Sequence, residues 1–244
     1  AQRFVTLFQT ELELLGLAFA LYLYDSAVLL YANEGVLVRT LTAKWRVQFA
    51  FDNTNVAGRS IYLPNPFAPY RPVFKLAWDF DGTVAASKAD WESHAGRFST
   101  LSIIVIVAGV SLFVLLPLGL FFKYRYLLLI LALVLLYSSL AAIGVWLYLN
   151  RTALQLSRRE LGFFIFECLA CPPFARNIVR KLGLRVPVRE DLIGAVRRLV
   201  APEHWPACRG RLIERLDEQI SGEDEGSAHA VALEARKREL LLMH

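Results

Sequence analysis

Four residues have the types and spacing of a metal site. Cys168 and Cys171 stand at i and i+3, and His204 and Cys208 at i and i+4. Three thiolates and an imidazole are the soft donors that a tetrahedral structural Zn²⁺ takes. A small tail with a modest core would gain much from such a clip. Buried cysteine also serves as a plain small apolar residue, and Pro206 interrupts the second pair. The expectation is no cofactor, with zinc the one metal these residues could hold. A second chemical residue is Asp25, the single charge in the apolar run 14–32 (LLGLAFALYLYDSAVLLYA). An acid inside a membrane span can hold a proton or cation, or pair with a basic group. The alternative is an interfacial carboxylate bonded to Tyr22, Tyr24 or Ser26.

The third set is Trp78-Asp79-Phe80-Asp81-Gly82-Thr83-Val84. It resembles the first motif of the haloacid dehalogenase-like phosphatases, a strand ending in Asp-x-Asp-Gly-Thr. The resemblance covers fewer than ten residues. It implies a nucleophile at Asp79 and a general acid at Asp81. That fold also requires further strand–helix units carrying a Ser or Thr, a Lys and an acidic pair for Mg²⁺, whereas here an apolar run begins at residue 101. No Gly-rich phosphate loop, Gly-x-Ser-x-Gly elbow or His-Glu-x-x-His sequence is present.

The fourth set is basic. Arg158, Arg159, Arg176, Arg180, Lys181, Arg185 and Arg189 recur through the region after residue 150. They suit anionic lipid head groups or an acidic partner, or simply form a solvated helix face. From 150 to 220 the chain has thirteen Arg and Lys against eight Asp and Glu, so this tail alone accounts for a surplus of five. No basic helix interleaved with stacking aromatics occurs, so nucleic acid is not an expected partner.

The elements that must position these residues are dominated by grease. The 244 residues are 56% hydrophobic, with a mean hydropathy of +0.42. Most of that excess lies in 101–121 (LSIIVIVAGVSLFVLLPLGLF) and 127–149 (LLLILALVLLYSSLAAIGVWLYL), neither of which holds a charge. About 20 apolar residues at 1.5 Å rise cross the ~30 Å hydrocarbon core, so both are expected transmembrane helices. Only residues 122–126 separate them, which makes an antiparallel hairpin. Residues 33–100 and 150–244 therefore share one side of the membrane. Pro117 is expected to kink the first span.

The run 14–32 is expected to form a third span. A central Asp costs roughly 2.5 to 3.5 kcal/mol to insert, and each Leu, Phe or Val returns about 0.3 to 0.6. From residue 36 to 80 the apolar period changes to two, in Trp45-Arg46-Val47-Gln48-Phe49-Ala50-Phe51 and in Phe74-Lys75-Leu76-Ala77-Trp78-Asp79-Phe80. That alternation predicts a small antiparallel sheet of three or four strands, with a further strand at 59–63. The proline-rich stretch 64–72 is an ordered loop or an edge. Helices are expected over 156–169, 174–182, 189–200, 202–220 and 228–242, with SGEDEGS at 221–227 as a solvated linker.

The fold class that follows is a membrane protein of α-helical spans, two clear and a third expected. A small antiparallel β-sheet is inserted before the hairpin, and a helical cytosolic tail follows it. The organisation is 1–32 N-terminal apolar helix, 33–100 β domain and connector, 101–149 hairpin, 150–220 basic helical tail, and 221–244 linker and terminal helix. Five basic residues flank the hairpin on the sheet-and-tail side (Lys88, Arg97, Arg151, Arg158, Arg159) against Lys123 and Arg125 in the turn. That bias puts sheet and tail in the cytoplasm of a bacterial inner membrane. Three cysteines suit a reducing compartment, and no cleavable signal peptide is expected from the first residues. The expected role is a non-catalytic accessory or assembly subunit of a larger membrane complex, in contact with lipid and other subunits. The alternatives are a membrane-bound phosphatase-like enzyme using Asp79 and Asp81, and a small transporter or channel component using Asp25.

Overall fold

The computed structural model describes residues 2–40, 42, 44–52, 54–56, 59–78, 89–121, 125–186, 188, 191–224 and 226–243, with the side chains of 2–12, 54–56, 89–90, 121 and 125 set aside. The described chain is mostly helical with two small antiparallel sheets.

Helix α1 runs Gln2–Ser26. The run 14–32 is thus not a single helix, which corrects the expected third span. It breaks after Ser26, and Val28–Leu30 becomes strand β1, paired with Arg59–Tyr62 (β5). The uninterrupted apolar part of α1 is only 14–24, roughly 16 Å of helix and about half a hydrocarbon core. Asp25 accordingly sits at a helix end and not at the centre of a span.

Strand β2 (Glu34–Arg39) is the middle of one sheet, between β3 (Trp45–Phe49) and β6 (Val73–Ala77), in the order β3-β2-β6. The second sheet, β1-β5-β4 with β4 at Thr54–Val56, was not separable from the first in the sequence pattern. The alternation at 45–51 stops at Phe49, where Ala50–Asp52 turns as a 3-10 element and carries the chain to the other sheet. Register gives the main sheet two different faces. Leu37 lies opposite Val47 and Phe74, in the helical core, while Val36 lies opposite Gln48 and Lys75 on the face toward the second sheet. There a small cluster of Leu30, Val36, Ala50, Tyr62 and Val73 closes the space between the sheets.

After α2 (Ala89–Arg97), α3 (Ser99–Val110) leads through one π turn, Ser111–Leu115, into α4 (Leu116–Phe121). The π turn ends two residues before Pro117. Proline has no N–H to donate to the carbonyl four residues back, and the widened turn absorbs that loss. Helix α5 (Arg125–Leu149) packs against this composite helix. Among the described residues, Ser99–Leu120 and Tyr126–Leu149 are the two helices long and apolar enough to cross a membrane.

The tail supplies α6 (Arg158–Ala170), α7 (Pro172–Ala175), α8 (Ile178–Arg185), α9 (Leu192–Leu199), α10 (Trp205–Ser221) and α11 (Ala228–Leu242). Several of these starts have a local cause. Ser157 and Glu160 form a reciprocal capping box on α6, and Asp191 and Ser227 cap α9 and α11. Pro172 opens α7 at a position where its missing N–H costs nothing. One connected core takes in Phe74, Leu76 and Trp78 from the sheet, Leu101 and Val105 from the hairpin, and Ile178, Leu192, Leu212 and Leu240 from the tail.

Candidate functional site

Helix α8 lies against β6, and Gly183 is what permits the approach. A Cβ there would stand 2.7 Å from the Val73 carbonyl oxygen. This close packing delivers three tail residues to the end of α1: buried Asn177 and Arg180, and half-buried Lys181.

Lys181 is the hub of an ion cluster. Its Nζ lies 2.5 Å from Asp25 Oδ1 and 2.6 Å from Glu167 Oε1. Asn177 Nδ2 donates to Asp25 Oδ2 at 3.0 Å and to the Tyr22 carbonyl at 3.1 Å, closing over the last turn of α1. An Asp at a helix C-terminus opposes the macrodipole; here the ammonium offsets that. Burial, the largest influence on Lys181, pulls its pKa down. The hydrogen bonds and charges of Asp25 and Glu167 outweigh it, so the net shift is upward.

Two arginines adjoin this cluster without a carboxylate. Arg176 lies 4.9 Å from the ring centres of both Tyr22 and Phe113, and its Nε, against Gly109 of α3, has no hydrogen-bond partner. Desolvation, the largest influence, lowers its pKa; Tyr22 pulls it up and Arg180, more weakly, down. Arg180 is only 3% exposed. It donates to Asn177 Oδ1 at 3.2 Å and to the Asn65 carbonyl, both neutral oxygens. Tyr22 Oη meanwhile donates to the Pro66 carbonyl, so the proline-rich loop is held to α1 and α8 together.

The other residues singled out by the sequence are placed as follows. Arg185 pairs with Glu160 and covers the Phe164 ring, while Arg158 and Arg159 are exposed at the start of α6. The basic series is therefore not one solvated face. Arg180 is buried, Lys181 is neutralised, and Arg189 lies outside the described residues. The Ser157 backbone N–H and the Arg185 guanidinium hold the Glu160 carboxyl down at about 2. Cys168 is buried in α6 and Cys208 in α10, Cys171 is half-buried and His204 exposed. Among the described residues no three His, Cys, Asp or Glu side chains gather to hold a metal, so these four do not converge. Burial pushes the Cys168 thiol up to about 12, making it a packed sulfur and not a thiolate.

Asp79 and Asp81 lie outside the described residues. The Trp78 before them is a core residue: its Nε1 donates to Gln219 Oε1 at 3.2 Å, and its carbonyl accepts from Arg236 Nε at 3.2 Å.

A cleft of about 300 Å³ opens beside Arg180, between the two sheets and the proline-rich loop. Arg39, Arg46 and Arg71 line it as well. Sequence reasoning missed Glu167, Asn177 and these three arginines. Arg46 carried a signal, as a polar position of an alternating strand; the others carried none. Compared with models of protein families, with curated proteins and with solved structures, the chain matches none. Chemically, the region is a salt-linked junction with more cation than anion.

Proposed function

We propose that this chain is a non-catalytic integral membrane subunit. Its hairpin anchors a sheet-and-helix body on the cytoplasmic face of a bacterial inner membrane, and that body docks onto a larger complex. The observation that carries this reading is the inverted character of α5. Ala132, Leu136, Leu140, Ile143 and Leu147 form its buried stripe, while Ile130, Val134, Tyr137 and Val145 on the other faces are exposed and equally apolar. A water-facing helix would place polar residues there, whereas a lipid-facing one has no reason to.

Helix α6 extends the same belt. It exposes Phe163, Phe166 and Leu169 beside Arg158 and Arg159, the composition of a helix lying in the head-group layer. Surfaces for other subunits are offered by Phe67 in the proline-rich loop and by Val231, Leu241 and Leu242 on α11, all exposed. The network around Lys181 supports a scaffold more than a reaction centre, because each of its carboxylates is already engaged.

Sidedness and assembly test it together. In a Cys171→Ala background, cysteines introduced at Leu63 and Ser221 should react with an impermeant maleimide from the same side of sealed vesicles. In mild detergent the chain should migrate with a stoichiometric partner, and Val231→Asp with Leu241→Asp should release that partner without altering the chain's own melting. Labelling from opposite sides, or a monodisperse monomer before and after substitution, would sink the proposal.

A further inference from the structure

The basic cleft has a distinct chemistry. Its floor is Arg180, a permanently charged guanidinium that is nine-tenths or more buried and bonded to neutral oxygens. Through Asn177 the nearest acid is Asp25, which is already engaged by Lys181. Isolated buried charge is costly, and proteins ordinarily compensate it with an opposite charge. Among the described residues the cleft lining supplies none, for it holds no Asp or Glu.

It supplies more cations instead. Register places Arg46 opposite Val38 and Gln48 opposite Val36, on the face toward the second sheet, so Arg46 reaches the mouth of the space that Val36 and Tyr62 close farther in. Arg71 is held at the opposite wall by donating to the Arg39 carbonyl at 3.1 Å and by lying over Tyr70. Arginines from strands, a loop and a helix thus line one cleft of about 300 Å³, with Thr40, Gln48 and Tyr62 adding neutral hydrogen-bonding groups. Guanidinium forks match the oxygens of a phosphate, and the volume suits a phosphate bearing a small organic group.

We propose that this cleft binds a phosphate group, between Arg46, Arg71 and Arg180, carried either by a lipid head group or by a free phosphate ester. The inference is independent of whether the hairpin crosses a bilayer. The lipid source has one extra feature in its favour: Leu63, an exposed apolar residue, lines the cleft where an acyl chain would lie.

The test uses the full chain in non-ionic detergent. One arm titrates inorganic phosphate against sodium chloride at matched ionic strength and follows the melting temperature. The other counts phosphatidic acid and phosphatidylcholine retained in native mass spectra. Expected is a saturable response in at least one arm, weakened about tenfold or more by Arg46→Gln with Arg71→Gln. Arg46 is exposed and makes no ion pair among the described residues, so Arg46→Gln alone serves as the variant that keeps the fold. A response to phosphate alone identifies the free ester, and selective retention of phosphatidic acid identifies the head group. No response in either arm, or one that both variants reproduce unchanged, would overturn the assignment.

Discussion

Lys181 holds two carboxylates that would otherwise face each other with no cation between them. Its side chain is 22% exposed and that of Asp25 9%, so the pair is screened far less than a surface one. Removing the ammonium alone leaves uncompensated partly buried charge, and Lys181→Met is expected to cost about 3 kcal/mol. Glu167→Gln keeps the Lys181–Asp25 contact and should cost closer to about 1 kcal/mol. The pH dependence follows from the raised Lys181 pKa. The folded chain binds this proton more tightly than the unfolded one. The stabilisation is therefore complete below the ordinary value of 10.5 and is lost as pH rises through the higher folded value. Melting measured in detergent from pH 8 to 12 should fall more steeply for the parent chain than for Lys181→Met. Parallel curves would mean that the cluster contributes nothing.

Among the elements, α8 sets the geometry of both the ion cluster and the cleft. It rests on backbone against backbone at Gly183, where the opposing atoms are the Val73 carbonyl oxygen and amide nitrogen and cannot rotate away. Gly183→Ala has to displace α8 from β6, an overpacking expected to cost about 1 to 3 kcal/mol. It should also move Arg180 away from Asn65, so phosphate response in the cleft and melting temperature should fall together. Gly194→Ala is the control, since a Cβ there has nothing nearer than 4.0 Å. Equal behaviour of the two variants would refute this account. The hairpin helices are set by their own sequence as well as by packing: α3, the π turn and α4 form one apolar helical run from Ser99 to Leu120, packed along α5.

At the scale of the molecule, the terminal helix is latched to the sheet. Arg236 reaches Asp191 at 2.7 Å and the Trp78 carbonyl at 3.2 Å, and pairs with Glu239 on its own helix. One residue thus joins α11, the cap of α9 and the end of β6. Arg236→Met should cost about 2 to 4 kcal/mol by stranding partly buried Asp191. It should also loosen α11, so that limited proteolysis cuts within 221–227 at least several-fold faster. Unchanged cleavage would show that Leu233 and Leu240 suffice to hold the helix.

How much of this was legible depended on the range of the interaction concerned. Two uncharged apolar runs of this length favour long helices, and strand alternation and caps act over a few neighbouring residues; hence the hairpin helices, the first part of the alternations at 45–51 and 74–80, and α11 at 228–242 could be read directly. The break at Ser26 could not, because residues 28–30 leave the helix only to pair with 60–62 far along the chain. Nor could the junction of Asp25 with Lys181, Asn177 and Glu167, or the meeting of Arg46, Arg71 and Arg180. Charge pairing and burial act through space, and periodicity reports only on neighbours in sequence, so the local pattern showed these residues as a lone acid and a scattered basic series. Folding α8 onto β6 decided which of those charges are neutralised and which are left facing the cleft.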